Sequence, residues 1–501
     1  MVNHCALYRL LRPNGIGQLH QQVTIGTFPD DVLLKVFKFF VETMEYHGSA
    51  FDEWHTLVHV CRRWRYLAFS SPRHLNLQLL CKPPGRSVKK MMDIWPELPI
   101  YIFDFDYPSK EARTNVVAAL RLNHRVSRIY LDKTSDSAWE TFAPLMEHLF
   151  PVLTHLSIQP YSQIKNTISR SFLGGSAPSL RDLVLIGVPF LALPELLLST
   201  TDLVRLQYSN IPRSGYILPQ AMVTGLSALT RLESLSLTFS SPHSLQGRPI
   251  PIPHPHTRTL LPALTYLCFQ GDVDYVENLM AQIDAPLLEE MVITLFHQEV
   301  LDVSQLAKFV RRADKLSFLD RAEVTFRSSY ISVTLSQELR VGRVDPNTLM
   351  LYLGCHESDL RLPYLAQLCS SCLPTLSPFE SLQIHLPYYQ NWEDFIVIDD
   401  QDSQWLELLR PFNTVKNLHL SKHVASRVAQ VLRGISAGQV MELLPALEAI
   451  FISDLEHFGP VMEAISDFAD ARQLSGHPVS IYDREGVVRY VGKQGNGSSG
   501  L

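Results

Sequence analysis

The chain has 501 residues, more than one compact core ordinarily holds, so several domains or an elongated repeat architecture is expected. Hydrophobic residues make up 46% and charged residues 19%, a composition with much to bury, and 32 prolines against 23 glycines point to many chain reversals. A formal net charge of −6 gives no general pull toward nucleic acid or an anionic membrane surface, and neither is expected as a partner.

From the N-terminus, residues 1–24 read as a tail. Its short apolar run is broken by Arg9 and Arg12 and is followed by no small-residue cleavage site, so no secretory signal is expected. The richest apolar window, residues 183–198, is interrupted by Pro189, Pro194 and Glu195 and is not a membrane span. Seven irregularly spaced cysteines fit free thiols in a reducing compartment better than a disulfide framework. A soluble protein of the cytoplasm or nucleus is the expectation.

Next comes Phe28-Pro-Asp-Asp-Val-Leu-Leu-Lys-Val-Phe-Lys-Phe-Phe40. Val32, Leu33, Val36, Phe37 and Phe40 recur at helical spacing, Pro29 suits a first turn, and Asp30 and Asp31 complement the positive end of the helix dipole. A second amphipathic helix is predicted over Trp54-His-Thr-Leu-Val-His-Val-Cys-Arg-Arg-Trp-Arg-Tyr-Leu-Ala68, with Trp54, Leu57, Val58, Cys61 and Ala68 on one face, Trp64 beside it, and Ser70-Ser71-Pro72 closing the segment.

Phe-Pro-Asp-Asp-Val-Leu-Leu followed by Val-Cys-Arg-Arg-Trp-Arg, in this order and separation, resembles the F-box. That short helical module docks a protein onto the Skp-type linker of a cullin-based (SCF-type) ubiquitin ligase. Phe28 stands where the family usually has Leu. The long stretch between the helices resembles a variant common among fungal, basidiomycete-type F-box proteins. The resemblance covers about a tenth of the chain, residues 25–80. It implies that Pro29, Val32, Leu33, Val36 and Phe37, with Val60, Cys61 and Trp64, form much of the linker-binding surface. Two amphipathic helices by themselves read as a plain helical hairpin that caps the rest of the protein; the combination of the two motifs is what points to the F-box.

Beyond residue 81 an apolar-x-x-apolar-x-apolar spacing recurs at Val126/Ile129/Leu131, Leu153/Leu156/Ile158, Leu180/Leu183/Leu185, Leu203/Leu206/Tyr208, Leu232/Leu235/Leu237 and Leu264/Leu267/Phe269. Successive starts lie 27, 27, 23, 29 and 32 residues apart, around the upper end of the leucine-rich-repeat range. Each hexad predicts a short strand with alternate residues inward, returned by a helix such as the ones expected over residues 139–149 (with Pro144 inside) and 274–283. The spacing continues at Leu288/Met291/Ile293, Phe379/Leu382/Ile384, Val415/Leu418/Leu420 and Leu447/Ile450/Ile452. Between them, Ala322-Glu-Val-Thr-Phe-Arg-Ser-Ser-Tyr-Ile-Ser-Val-Thr-Leu335 alternates with period two and reads as a hairpin. The region resembles the irregular leucine-rich repeats of F-box proteins, without the Asn or Cys ladder of regular repeats.

The expected fold class is therefore α/β, an N-terminal helical module followed by an irregular leucine-rich-repeat solenoid of strand-turn-helix units over residues 81–485, with a flexible tail at 486–501. Insertions near 239–259, rich in proline, and near 386–404, carrying Tyr388, Tyr389, Trp392 and Phe395 among five acidic residues, read as loops. Residues 495–500 match G-x-G-x-x-G literally, but only Leu501 follows, so no helix is available to receive a pyrophosphate. Cys369 and Cys372 have C-x-x-C spacing without a second pair, and Cys355, His356, His254 and His256 give no metal-ligand pattern. No cofactor and no enzymatic activity are expected. The sequence favours a substrate-recognition adaptor binding the linker and an unidentified target protein. The alternative is a leucine-rich-repeat scaffold whose F-box-like helices only cap the solenoid.

Overall fold

The structure is a computed structural model. It describes residues 25–45, 54–72, 74–75, 77–81, 90, 97–105, 110–162, 164, 167–242, 258–296, 302–316, 319–327, 330–337, 347–354, 361–372, 379–385, 402–433, 442–453, 459–483 and 488–491. The chain divides into two compact units, Met1–Leu80 with Met91–Pro99 and Cys81–Lys90 with Ile100–Leu501.

In the first unit a single 3-10 turn, Ile25–Thr27, leads into helix α1 (Asp30–Glu45), followed by α2 (His55–Val60) and α3 (Arg62–Ser70); strand β1 (Leu79–Cys81) ends on the first residue of the second unit. Leu33, Phe37 and Val41 lie one turn apart on α1 and are buried with Leu57, Val58, Leu67, Ala68, Leu75, Leu77 and Leu98. Each of the leucine, valine and phenylalanine side chains contributes on the order of 1.5–3 kcal/mol of burial. Trp54 closes one side of this core and donates its indole N–H to the Gln78 carbonyl at 2.9 Å.

The second predicted helix is broken in two. Cys61 is extended (φ −157°, ψ 171°), ending α2, and its Sγ accepts the Trp64 amide at 3.4 Å, capping α3. The break turns Cys61 out to solvent, off the buried face on which a continuous helix would place it.

The second unit is a repeat ladder. Strands β2 (Ile100–Phe105), β3 (Val126–Thr134), β4 (His155–Pro160), β5 (Asp182–Ile186), β6 (Arg205–Ile211) and β7 (Ser234–Phe239) pair in sequence and in parallel. The ladder continues through β9 (Tyr266–Gly271) to β11 (Glu290–Leu295). Between them, β8 (Thr259–Leu260) and β10 (Ile283–Asp284) form a separate two-residue parallel pair. One register runs through the hexads: Ile129, Leu156, Leu183, Leu206, Leu235, Leu267 and Met291 are consecutive partners, and all are buried. No single repeat can bury its own face, so each repeat depends on its neighbours.

The strands are returned by helices of modest length. The first helix candidate is α-helical over Asp136–Phe142 and tightens to a 3-10 turn over Ala143–Glu147, where Pro144 needs no amide partner. The second is the helix Val273–Gln282. From this helix the buried Glu277 carboxylate accepts the amides of Gln305 (2.7 Å) and Leu306 (2.8 Å), capping the next helix, Ser304–Arg312.

After β11 the strand order departs from chain order. β12 (Arg321–Phe326) and β13 (Tyr330–Ser336) form the expected hairpin, and β13 pairs antiparallel with β14 (Thr348–Gly354). It is β14, not β12, that lies beside β11, and β12 pairs with β15 (Ser381–His385). A three-strand meander thus replaces a simple repeat. The parallel ladder then resumes through β16 (Asn417–Leu420), β17 (Ala449–Ile452) and β18 (Ser480–Asp483). Val488–Val491 forms β19, antiparallel to β18, where the sequence predicts a flexible tail from 486 onward. Its amides pair with a sheet edge that would otherwise be open. Asp402–Leu409 is helical, so the second predicted insertion ends before residue 402, and residues 386–401 and 243–257 of the two insertions lie outside the described residues. The glycine-rich residues 495–500, with Cys355, His356, His254 and His256, also lie outside them. No helix among the described residues is long and apolar enough to cross a membrane.

Candidate interaction surfaces

The eight residues singled out on the helical module separate into two sets. Leu33 and Phe37 are 0% exposed and belong to the module's interior. Trp64 is half-buried, its ring 4.7 Å from that of Phe37, and so props α3 against α1. Helical spacing alone does not distinguish these residues from their neighbours, because one residue step is a rotation of about 100° between adjacent stripes of one broad apolar face.

The other five are on the surface. Pro29 is exposed, as are Val32 (36%), Val36 (42%) and Val60 (60%), and Cys61 is an exposed free thiol. Phe39, absent from the residues the sequence singles out, is 72% exposed and extends the stripe Pro29, Val32, Val36 by another helical step. Its signal is the same 3-4-3 spacing that marks the stripe. Arg63 draws the two segments together: its guanidinium donates to the Asp30 carboxylate at 2.5 Å and to the Phe28 carbonyl at 2.6 Å. This brings the α2–α3 junction, with Val60 and Cys61, to the end of α1 that carries Pro29 and Val32. An exposed ion pair of this kind adds little stability, about 0–1 kcal/mol, so its main effect is alignment.

The second surface is the solvent side of the sheet. Residues between the buried positions of the hexads form rows fixed by the register. One row runs Arg128, His155, Asp182, Arg205; the next runs Tyr130, Ser157, Val184, Gln207. Asp182 accepts from His155 Nε2 at 3.0 Å and lies 3.6 Å from Arg205. The hydrogen bond from His155, with the charges of His155, Arg205 and Arg128, holds its carboxyl below the usual range against the opposing effect of burial. Further along, Arg321 donates to Gln383 at 2.6 Å and His385 lies 3.6 Å from Glu323. The rings of His419, Phe451 and Tyr482 then stack at 4.4 and 4.9 Å along one row. Burial, reinforced by the charge of Arg321, lowers the pKa of His419. Arg128, His155, Asp182 and Arg205 stand just before the middle apolar residue of their hexads, and Tyr130, His419 and Phe451 just before the last, a signal present in the sequence but readable only once the register is known.

Cys369 is buried in the helix Arg361–Cys372. Among the described residues no group of three or more His, Cys, Asp or Glu is placed to hold a metal ion.

No family model matches the chain, and no curated protein matches it. Among solved structures the chain is similar to the leucine-rich repeat-containing protein LegL7 from Legionella pneumophila, at 12% identity and a TM-score of 0.26 over 77% of this chain and 91% of that one. The repeat architecture described above stands on the strand register itself.

Proposed function

We propose that the chain is the substrate-recognition adaptor of an SCF-type ubiquitin ligase, with the helical module docking a Skp-type linker and the repeat unit holding a target protein. The observation that carries this reading is the division of labour within the module. Leu33 and Phe37 supply its core, while Pro29, Val32, Val36, Val60 and Cys61 leave an apolar surface uncovered within that unit. Exposed apolar residues grouped on one surface, rather than scattered, mark a site for a partner. In this mechanism the chain makes and breaks no bonds. It raises the effective concentration of target lysines near a ubiquitin-charged enzyme, so that transfer becomes nearly intramolecular.

Co-purification tests the reading. The full-length chain is expected to retain the linker, and Val36→Asp with Val60→Asp is expected to release it while leaving the repeat unit folded. Retention by the double variant, or no retention by the wild type, removes the support and favours a non-catalytic repeat scaffold.

A further inference from the structure

The first strands of the repeat ladder carry a charge arrangement that the adaptor reading does not require. On the solvent side of β3 to β6, the row Arg128, His155, Asp182, Arg205 contains two guanidinium groups and an imidazole against one carboxylate. Its Oδ2 accepts from His155 and its Oδ1 lies 3.6 Å from Arg205, while Arg128 acts on it only through its charge, without a direct ion pair. Arg128 is half-buried and makes no ion pair or hydrogen bond among the described residues. A partly desolvated guanidinium whose N–H groups no carboxylate meets directly is a strong recognition element for one, which it can meet with two parallel hydrogen bonds. Toward β4 and β5 the adjacent row places Ser157 and Val184 beside Tyr130, low side chains that let a backbone approach the sheet, while Tyr101 and Phe103 of β2 flank Arg128 and Tyr130 on the other side.

Resting on the reading of the repeat unit as the target-binding part, we propose that this row is a subsite for an acidic, extended peptide segment of the target. Arg128 and Arg205 would receive two carboxylates, with Tyr130 and His155 as flanking contacts. The spacing sets the pattern. Arg128 and Arg205 stand three strands apart, about 14 Å at roughly 4.8 Å per strand, and an extended peptide covers that distance in about four residues at roughly 3.4 Å each. The segment therefore carries Asp or Glu at positions i and i+4 and crosses the strands. Because the chain as a whole is acidic, with a net charge of −6, the attraction is local and is expected to weaken as salt is added.

Selection of displayed random peptides against the full-length chain, in parallel with the Arg128→Gln/Arg205→Gln variant, tests this. Peptides enriched on the wild type are expected to carry two acidic residues four apart. A synthetic copy is expected to lose about tenfold or more in affinity when either acid becomes amide or when the double variant is used. Arg321→Gln, elsewhere on the same face, is expected to bind within about threefold of wild type. Enrichment without acidic bias, identical enrichment on the double variant, or no enrichment overturns the proposal. Linker co-purification by the same double variant is expected to be unchanged, so a failure of this subsite is distinguishable from a failure of the adaptor reading.

Discussion

Phe37 and Val36 are neighbours in the chain with opposite consequences. Phe37 is fully buried against Trp64, and Phe37→Ala is expected to destabilise the helical module by about 3–5 kcal/mol, seen as loss of hydrogen-exchange protection in α1. Val36→Asp, on the exposed stripe, is expected to leave that protection within about 0.5 kcal/mol of wild type. Glu277 provides a second test at this scale. Burial, partly offset by the amides of Gln305 and Leu306, pushes its carboxyl up from an ordinary 4.5 to about 7. With the folded pKa above the unfolded one, the folded chain binds more protons between those values. The Glu277 contribution is therefore fully present below about pH 4.5 and is lost as pH rises to about 7. Denaturation of the repeat unit followed across that window is expected to show the loss in the wild type, and Glu277→Gln is expected to flatten it.

At the scale of elements, the hexad spacing located the strands because buried strands impose period two and the turn before each strand buries one more apolar residue. The turn also has a regular form that the hexads only half reveal. Leu153, Leu180, Leu203, Leu232, Leu264, Leu288, Val415 and Leu447 each donate their amide to the carbonyl three residues earlier. Those earlier residues are themselves buried: Phe150, Ala177, Thr200, Leu229, Leu261, Ala285, Phe412 and Leu444. Three of these eight are alanine or threonine, which is why a search for large apolar residues passes over that position. The break at Cys61 escaped the helical periodicity because a thiol reads as apolar there while its structural work is to cap α3. Strand order around the meander is a long-range property, and no local pattern announces that β14 lies beside β11. Cysteines replacing Val292 and Met350, which are register partners, are expected to form a disulfide on oxidation in an otherwise cysteine-free chain. The pair 292 and 323, separated by two intervening strands, is expected not to form one, and the reverse result contradicts the observed order. Stacking also couples the repeats: Leu183→Ala and Leu206→Ala, in contact across β5 and β6, are each expected to cost about 2–5 kcal/mol and to depart from additivity by about 0.5–3 kcal/mol in a double-mutant cycle.

At the scale of the whole molecule, a helical unit that carries exposed apolar residues accompanies a repeat unit with a broad, chemically varied sheet face. The sequence located both, the first through a resemblance and the second through a period, but it could not tell which of the eight module residues face outward, and the register of the repeats was needed to bring Arg128, His155, Asp182 and Arg205 into one row. The central claim is that the outward set docks the linker. Titration of purified Skp-type linker into the full-length chain by calorimetry tests it most directly. Saturable one-to-one binding is expected, weakened about tenfold or more by Val36→Asp with Val60→Asp at unchanged thermal unfolding. Absence of binding by the wild type, or equal binding by the folded double variant, would contradict it.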